Sequence, residues 1–286
     1  MENNSFTLLP MSQRFSLEPG KTYSGKLSVI NPADAKEDFE YNVTVTPYGV
    51  TDENYTADLA TQTNRTQIAK WIKIKEPTGS VKPNETKDVE FTITVPDNAP
   101  AGGQYATIAV SSKDKAVEGE AVAINNVFEL ASVVYGTVAG ETVSEGEIIE
   151  NNVPGFVLST PVTLSALISN GGNIHEDATF LISVSNVFTG EVILPTEEND
   201  GQYNELIMPE TTRAITRDIS GLPALGVVRV KQTIYYRGQI SDVVKDVFIC
   251  PLWFMVLVAV TLVAIAGAVV AIVKKHKKGK AKKAVV

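Results

Sequence analysis

The sequence has one cysteine and two histidines in 286 residues, and these scarcities exclude several classes of protein. Cys250 has no second cysteine to pair with, so an intrachain disulfide is impossible. His175 and His276 are far apart, and a loop histidine without another His or Cys makes no zinc site. Phosphate-binding glycine loops, dinucleotide fingerprints and nucleophile elbows are missing as well. The sequence therefore predicts no cofactor, no metal site and no enzymatic activity.

A second absence is that of charge from one long segment. Residues 251–273 contain no charged side chain. A helix of about 20 apolar residues spans the hydrocarbon core of a membrane, and core helices of soluble proteins seldom lack a polar face. We therefore predict a transmembrane helix over 251–273. The small residues Ala264, Gly267, Ala268 and Ala271 allow close helix packing, which predicts a weak helix-mediated dimer.

Basic side chains are concentrated directly behind this segment. Residues 274–286 contain seven Lys and no acid, whereas the preceding 273 residues carry 18 basic and 33 acidic side chains, a net charge of −15. Such an acidic body excludes nucleic acid as the main partner. The positive-inside rule predicts a single-pass cell-membrane protein with a cytoplasmic tail and an extracellular body. Its predicted anchor, in contact with membrane lipids, consists of Trp253, Lys274, Lys275, Lys277 and Lys278.

The first residues, Met1 to Asn4, show neither the basic region nor the apolar region of an export signal. Two hypotheses stay open at this point. Either an export signal has been lost from this sequence, or the protein is tail-anchored with its body in the cytoplasm. The lysine tail favours the first, because tail-anchored insertion would have to carry seven lysines across the membrane.

Apolar and polar residues alternate through most of the remaining chain. Phe39, Tyr41, Val43 and Val45 alternate with polar residues, and the segment from Val89 to Val95 does the same. This period of two is typical of strands that bury one face, and Pro- and Gly-rich turns separate the runs. The predicted fold class is all-β, with two tandem immunoglobulin-like β-sandwich domains followed by one transmembrane α-helix and a short basic tail.

A weak internal repeat supports two copies of one domain. A strand ends at Asn31, and 52 residues later Pro83 opens a turn; in the second half Asn170 precedes Pro209 by 39 residues. Convergence of two unrelated sandwiches on common turn chemistry is the alternative. The predicted segments are the first sandwich (1–136), the second sandwich (137–250), the transmembrane helix (251–273) and the cytoplasmic tail (274–286).

Binding residues are sought among exposed aromatic side chains on long loops. Tyr48, Tyr55 and Trp71 flank the polar, Thr-rich segment 47–71, and a loop of this length within a compact domain is usually functional. These three residues are the predicted ligand-binding set. Ile72 follows Trp71 in strand-like sequence, so a place for Trp71 in the core is an equal alternative. The edge strands of a sandwich offer a second route, because they can pair with a strand of a partner.

The order of short motifs in the first half resembles a known family. The motifs are Phe15 to Gly20, Leu27 to Pro32, Trp71-Ile72, Val81 to Thr86 and Ala101 to Ala106. They resemble the N-terminal domain of the WxL-interacting proteins, which are surface proteins of Gram-positive and related bacteria. The resemblance implies a peptidoglycan-binding first domain, a host-binding second β-domain, a membrane helix with a basic tail, and WxL-type or host surface proteins as partners.

The leading hypothesis is accordingly a non-catalytic, membrane-anchored cell-surface protein that binds cell-wall polymer or surface protein partners and serves adhesion. A first alternative is a cytoplasm-facing, tail-anchored adaptor, because the Pro-Gly and Asn-Pro motifs also look like those of the major sperm protein domain. A second alternative is a surface hydrolase on the same scaffold, which requires carboxylates that converge from distant strands.

Overall fold

A computed structural model of the chain describes residues 6–113, 128–196 and 200–283. The chain divides into two compact units. Unit 1 consists of residues 1–147 together with 168–176 and 206–214, and unit 2 consists of 148–167, 177–205 and 215–286. The described part of the chain is built from strands, with one four-residue helix and one long helix at the C-terminus.

The elements are numbered along the chain. The first eleven strands and the first helix are β1 (Thr7–Leu9), β2 (Ser12–Leu17), β3 (Thr22–Ile30), β4 (Phe39–Pro47), β5 (Gly49–Val50), β6 (Ala57–Asp58), α1 (Ile68–Trp71), β7 (Ile72–Ile74), β8 (Thr78–Val81), β9 (Thr86–Thr94), β10 (Gly102–Ser112) and β11 (Glu129–Val138). The remaining elements are β12 (Gly146–Asn152), β13 (Phe156–Val157), β14 (Val162–Asn170), β15 (Glu176–Asn186), β16 (Val192–Leu194), β17 (Gln202–Ile207), β18 (Thr211–Ile219), β19 (Gly226–Tyr236), β20 (Gln239–Ile249) and α2 (Leu252–Lys283).

The first sandwich is formed by two sheets, whose strand orders are β1-β3-β9-β7 and β2-β11-β10-β4-β8. The chain moves from one sheet to the other between β1, which pairs with β3, and β2, which runs parallel to β11. The core contains side chains of both sheets, including Leu27 and Phe91 from one and Val43 and Ile108 from the other. The short helix α1 adds Ile68 to this core.

The second sandwich has a sheet of order β12-β14-β18 and a sheet of order β13-β20-β19-β15-β16, in which β17 also pairs with β15. Its core joins Val162 and Leu164 of the first sheet to Val228, Val230 and Val247 of the second. The chain is therefore all-β, with two immunoglobulin-like β-sandwich domains and one apolar C-terminal helix. The predicted boundary between the domains, after residue 136, stays a prediction.

The period-two pattern is confirmed where it predicts buried faces. Val89, Phe91, Ile93 and Val95 are all buried, and so are the alternating apolar residues of β14 and β15. On β19 the same holds for Val228, Val230, Ile234 and Tyr236. Strong alternation identifies these strands because one face packs on a core while the other meets solvent.

The two halves of the internal repeat use the same local chemistry. The side-chain amide of Asn31, directly after β3, donates to the carbonyl of Val81 at 2.9 Å, and the amide of Asn170, the last residue of β14, donates to the carbonyl of Ile207 at 3.0 Å. In each half the acceptor precedes a turn whose residue after proline has a positive φ, 60° at Asn84 and 59° at Glu210. The sequence repeat thus corresponds to a repeated strand-tying bond.

Two aromatic side chains of the first sandwich lie over glycines of the neighbouring strand. Phe91 is the cross-strand partner of Gly25, and Tyr41 is the partner of Gly79. A Cβ atom built on either glycine would overlap with the aromatic ring or its hydroxyl. Each glycine therefore makes room for a large ring that would otherwise not fit between the sheets, and the ring covers the bare backbone in return.

The hydroxyl of Tyr41 gives a stability prediction. Tyr41 is completely buried, and its hydroxyl has no hydrogen-bond partner within the described residues. Burial raises the pKa of Tyr41, so the group stays protonated. We expect Tyr41→Phe to leave the free energy of unfolding unchanged or to raise it by about 1 kcal/mol, because the substitution removes an unsatisfied buried polar group. Denaturant unfolding measures this, and a loss above about 1 kcal/mol would mean that the hydroxyl is bonded.

The C-terminal helix α2 contains a stretch, Leu252–Ile272, that is 21 residues long and apolar enough to cross a membrane by length and composition, and none of it is buried against the rest of the described chain. Trp253, at its start, is 61% exposed. The small residues of the predicted dimer face lie on this exposed helix, and the dimer stays a prediction.

Candidate functional site

The three aromatic residues predicted to bind a ligand lie in different environments of unit 1. Trp71 is part of the hydrophobic core. Tyr48 is half-buried, and its ring meets that of Tyr135 edge to face at 6.4 Å. Tyr55 is also half-buried and follows the hairpin strand β5. As a set they stay a prediction, and the position of Trp71 corresponds to the alternative in which it packs in the core.

Tyr55 is held by several partners within unit 1. Its hydroxyl lies 2.6 Å from the Thr211 hydroxyl and accepts a hydrogen bond of 2.8 Å from the backbone N–H of Met208. The guanidinium of Arg213 lies 4.6 Å from the centre of its ring. Burial raises the pKa of Tyr55, while these hydrogen bonds and the nearby Arg213 oppose the rise. The polar end and one ring face of Tyr55 are therefore occupied by residues of unit 1.

The predicted anchor residues lie on α2. Trp253 and Lys274 are exposed, and the side chains of Lys275, Lys277 and Lys278 lie outside the described part of the structure. No group of three or more His, Cys, Asp or Glu side chains that could hold a metal ion occurs among the described residues.

A groove of about 680 Å³ lies on the outer face of the first sandwich, between β3, β9 and β7. Its walls carry Lys26, Lys73, Lys75 and Glu90. Lys75 bonds to Glu90 at 2.9 Å, and Lys26 bonds to Asp88 at 2.7 Å. The bond to Asp88 raises the pKa of Lys26 and lowers that of Asp88. Most of the groove's charge is therefore already paired, as on an ordinary solvated sheet face.

A long, mostly unpaired sheet edge of the described chain lies along β20 in unit 2. This strand pairs with β19 along its whole length, from Gln239 opposite Tyr236 to Ile249 opposite Gly226. On its other side only β13 pairs with it, at Phe248 and Ile249. Among the described strands, none pairs with this side of β20 between Ile240 and Val247. We call this stretch, residues 240–247, the β20 edge.

The hydrogen bonds between β20 and the β13 segment show which backbone groups of the β20 edge point to the open side. The N–H groups of Phe248 and Cys250 donate to the carbonyls of Gly155 and Val157 on the side of β13. Because neighbouring residues of a strand point their backbone groups to opposite sides, Ile240, Asp242, Val244 and Asp246 direct theirs to the same side. Each therefore presents one donor and one acceptor to an incoming strand, as an exposed sheet edge does.

An apolar stripe accompanies this row of backbone groups. Ile240, Val244 and Phe248 project from the outer face of β20 and are 62%, 53% and 41% exposed. Tyr235, the cross-strand partner of Ile240, is 41% exposed, and Phe156 lies against Phe248 with ring centres 5.9 Å apart. Long apolar residues on an exposed edge are unusual in natural sheets, because such edges tend to pair with other chains.

Two carboxylates separate the apolar residues of the stripe. Asp246 accepts two hydrogen bonds from Arg229, at 2.7 and 3.0 Å, and Asp242 accepts one from the hydroxyl of Thr233. Arg229 and Thr233 are the cross-strand partners of these two residues on β19. The pairing with Arg229 lowers the pKa of Asp246. Along the outer face of β20, apolar and acidic side chains therefore alternate.

The other sheet edges of the described chain are shorter, covered or more polar. On β18 the N–H of Ala214 donates to the carbonyl of Glu53 at 2.7 Å, so that edge is partly closed. The edge strand β12 carries the exposed acids Glu147 and Glu150. The edges β1, β7 and β16 have three residues each, and β8 has four. The β20 edge combines length, open backbone groups and exposed apolar side chains.

Sequence reasoning missed this site, although the sequence contains a signal for it. Apolar residues occupy both faces of β20, with Ile240, Val244 and Phe248 on one face and Val243 and Val247 on the other. A pattern that is apolar on both faces is usually taken to indicate a fully buried strand. It also fits an edge strand with an apolar outer face, and only the sheet order distinguishes the two.

Comparison with known proteins finds no matching family model and no matching curated protein. Solved structures of similar fold include a chain of the chaperone–tip adhesin complex of CFA/I fimbriae, which is 13% identical with a TM-score of 0.41 and covers 84% of this chain and 98% of that one. The CsuC–CsuE chaperone–tip adhesion subunit complex of Acinetobacter baumannii is 12% identical, with a TM-score of 0.38 and coverage of 84% and 98%. The periplasmic chaperone SfaE is 12% identical, with a TM-score of 0.36 and coverage of 85% and 100%.

These findings correct the family prediction. The resemblance to WxL-interacting proteins is wrong: no family model supports the motifs, and the three similar structures reported above come from fimbrial chaperones and their complexes. The motifs misled because Pro-Gly, Asn-Pro and Pro-x-Glu-Thr are turn chemistry common to many sandwiches. The predicted peptidoglycan-binding and adhesion roles, and WxL-type or host partners, are wrong for the same reason.

The predictions of function and of cellular location are corrected as well. The membrane-anchored cell-wall binder is wrong, and neither the tail-anchored adaptor nor the surface hydrolase fits better. The predicted cell-membrane location and lipid partners are also wrong, because one apolar helix is weak evidence for membrane anchoring. The absence of enzymatic activity, which the sequence predicts, stays a prediction. What stands is the coarser description, an all-β chain with two immunoglobulin-like sandwich domains and one apolar C-terminal helix.

Proposed function

We propose that the chain is a non-catalytic protein-binding module that captures an extended segment of a partner protein along the β20 edge. The observation that carries the proposal is the coincidence of two features on one strand. Ile240, Asp242, Val244 and Asp246 offer backbone donors and acceptors to the open side, and the apolar stripe lies directly beside them. Both features are what a partner strand requires.

The physical basis of this binding mode is strand addition. An antiparallel partner strand exchanges two hydrogen bonds with each of these four residues, and those bonds do not depend on its sequence. Sequence preference comes from side chains opposite Ile240 and Val244, because each cross-strand apolar pair stabilises a sheet by about 0.2–1 kcal/mol. The segment loses its freedom on binding, so the affinity depends on both contributions together.

Two finer features of the fold belong with this proposal. We place the end of the first domain after residue 136, where β11 nears its end. The other feature is the apolar helix α2, which is long enough to cross a membrane; we propose no membrane location for it. Neither feature is required for strand addition at β20.

A peptide with the sequence of residues 227–236 provides the probe. In the chain, β19 pairs with β20 so that Arg229 faces Asp246 and Tyr235 faces Ile240. The free peptide can bind to the open side of β20 and form the same pairs of side chains there. It would do so through the backbone groups that, in β19, point away from β20. We expect saturable binding of the labelled peptide to the full chain in mild detergent. Fluorescence anisotropy measures it, with a scrambled peptide as reference.

Proline substitution tests the backbone contribution. Val244→Pro removes a donor that points to the open side, so it is expected to weaken peptide binding about tenfold or more while the chain stays folded. Val243→Pro instead removes a donor to β19 and is expected to lower stability. A second control, Ile149→Pro, alters the edge strand β12, and we expect peptide binding to persist. Equal binding by wild type and Val244→Pro, or no binding of the peptide to wild type, would contradict strand addition at β20.

A further inference from the structure

The chemistry of the partner can be inferred from the side chains that would lie beside it, and this step rests on the proposed function. Side chains of an added strand stand next to the outermost column of the sheet, which consists of Ile240, Asp242, Val244 and Asp246. We infer that the partner segment is an alternating apolar and basic strand, with apolar side chains beside Ile240 and Val244 and Lys or Arg beside Asp242 and Asp246.

The two carboxylates retain capacity for a second basic partner. Asp246 takes one hydrogen bond from Arg229 on each oxygen, and its side chain remains 45% exposed. Asp242 is bonded to Thr233, lies 3.9 Å from Lys231 and remains 52% exposed. A carboxylate has about four lone-pair sites, so each can accept from β19 on one side and from a partner strand on the other.

The other charges of β20 also favour a basic partner segment. Lys245 is the only basic residue of the β20 edge, and it belongs to the opposite face, because its cross-strand partner Val230 points into the core. The outer column next to the partner therefore carries two acids and no base. The body of the chain is also acidic overall, which favours the approach of a basic segment over an acidic one.

A second copy of this chain fits the site less well. Antiparallel pairing of two β20 edges about Val244 places Asp242 of each copy opposite Asp246 of the other, which repels. Pairing about Val243 keeps the same backbone groups in register but places Asp242 opposite Val244, and Asp246 opposite Ile240. Neither arrangement supplies a basic side chain to the carboxylates, so the occupant is a different chain.

Two matched peptides test the inference on the full chain in mild detergent. The basic peptide VVRVVQKIYY places Arg beside Asp246, Val beside Val244, Lys beside Asp242 and Tyr beside Ile240. The acidic peptide VVEVVQEIYY differs only at the two charged positions. We expect the basic peptide to bind about tenfold more tightly at low salt, and the preference to shrink as salt is added. The double variant D242K/D246K is expected to reverse it, whereas E147K/E150K, with the same change in net charge on β12, is expected to preserve it.

The outcomes distinguish the inference about the partner's charge from the proposal of strand addition. If both peptides bind equally and both lose affinity in Val244→Pro, the charge inference is overturned and strand addition stands. If neither peptide binds, strand addition itself fails. If the full chain forms a dimer that Val244→Pro dissociates, a second copy occupies the edge and the inferred basic partner is wrong.

Discussion

Replacing Asn31 by Asp is expected to lower the free energy of unfolding by about 4 kcal/mol. The Asn31 side chain is 3% exposed, and its amide donates to the carbonyls of Glu37 and Val81 at 3.0 and 2.9 Å. A carboxylate of the same shape has no donor and turns its negative charge toward two carbonyl oxygens. The substitution therefore breaks two buried bonds and adds an unpaired charge, and nothing compensates for either loss.

Denaturant unfolding of the purified chain measures this loss. Asn98→Asp is the control, because Asn98 is exposed in a turn and the substitution changes the net charge equally. Asn170→Asp is expected to behave like Asn31→Asp, since Asn170 is 1% exposed and ties the equivalent strands in the repeat. If Asn31→Asp destabilises no more than Asn98→Asp, the bonds of the repeated asparagine do not hold the sandwich together.

Replacing Phe91 by Ala is expected to cost about 4 kcal/mol, because it removes a buried ring from the core and uncovers Gly25. Phe91 is 1% exposed and also meets Phe15 edge to face, with ring centres 6.1 Å apart. Gly25→Ala alone is expected to cost about 2 kcal/mol, since the new methyl group overlaps with the ring. The two residues are coupled because they occupy the same space.

A double-mutant cycle measures that coupling. In the variant that combines Phe91→Ala with Gly25→Ala, the methyl group enters space vacated by the ring, so the combined loss is expected to be smaller than the two single losses together. Phe188→Ala is the control, because Phe188 is 80% exposed and its removal is expected to change little. A combined loss that equals the sum would show that Gly25 and Phe91 do not share the space.

Strands with one buried face were predictable because the physical cause is local. Phe39, Tyr41 and Val43 alternate with polar residues, and all three are buried as the period requires. The repeat was readable from Asn31 and Asn170 because each has a bonding role that only an amide fulfils at a buried strand end. Local chemistry of this kind leaves a signature in the chain itself.

The candidate site was not predictable in the same way. Which side of β20 stays open depends on β13 stopping after two residues and on the absence of another strand there in the described chain. That is a property of sheet order, which the alternation of β20 does not encode. The aromatic set on the 47–71 loop stays a prediction; in the structure Trp71 packs in the core and the Tyr55 hydroxyl contacts Thr211 and Met208. Family resemblance failed because turn motifs are shared by many unrelated sandwiches.

The most direct test of the central claim is amide hydrogen exchange along β20 in the full chain, with and without the peptide of residues 227–236. In the free chain, the amides of Ile240, Asp242, Val244 and Asp246 are expected to exchange quickly, while those of Ser241, Val243 and Lys245, which face β19, exchange slowly. Adding the peptide is expected to slow the first set and leave the second unchanged. Uniform protection of both sets in the free chain, or no change in the first set at saturating peptide, would contradict strand addition at the β20 edge.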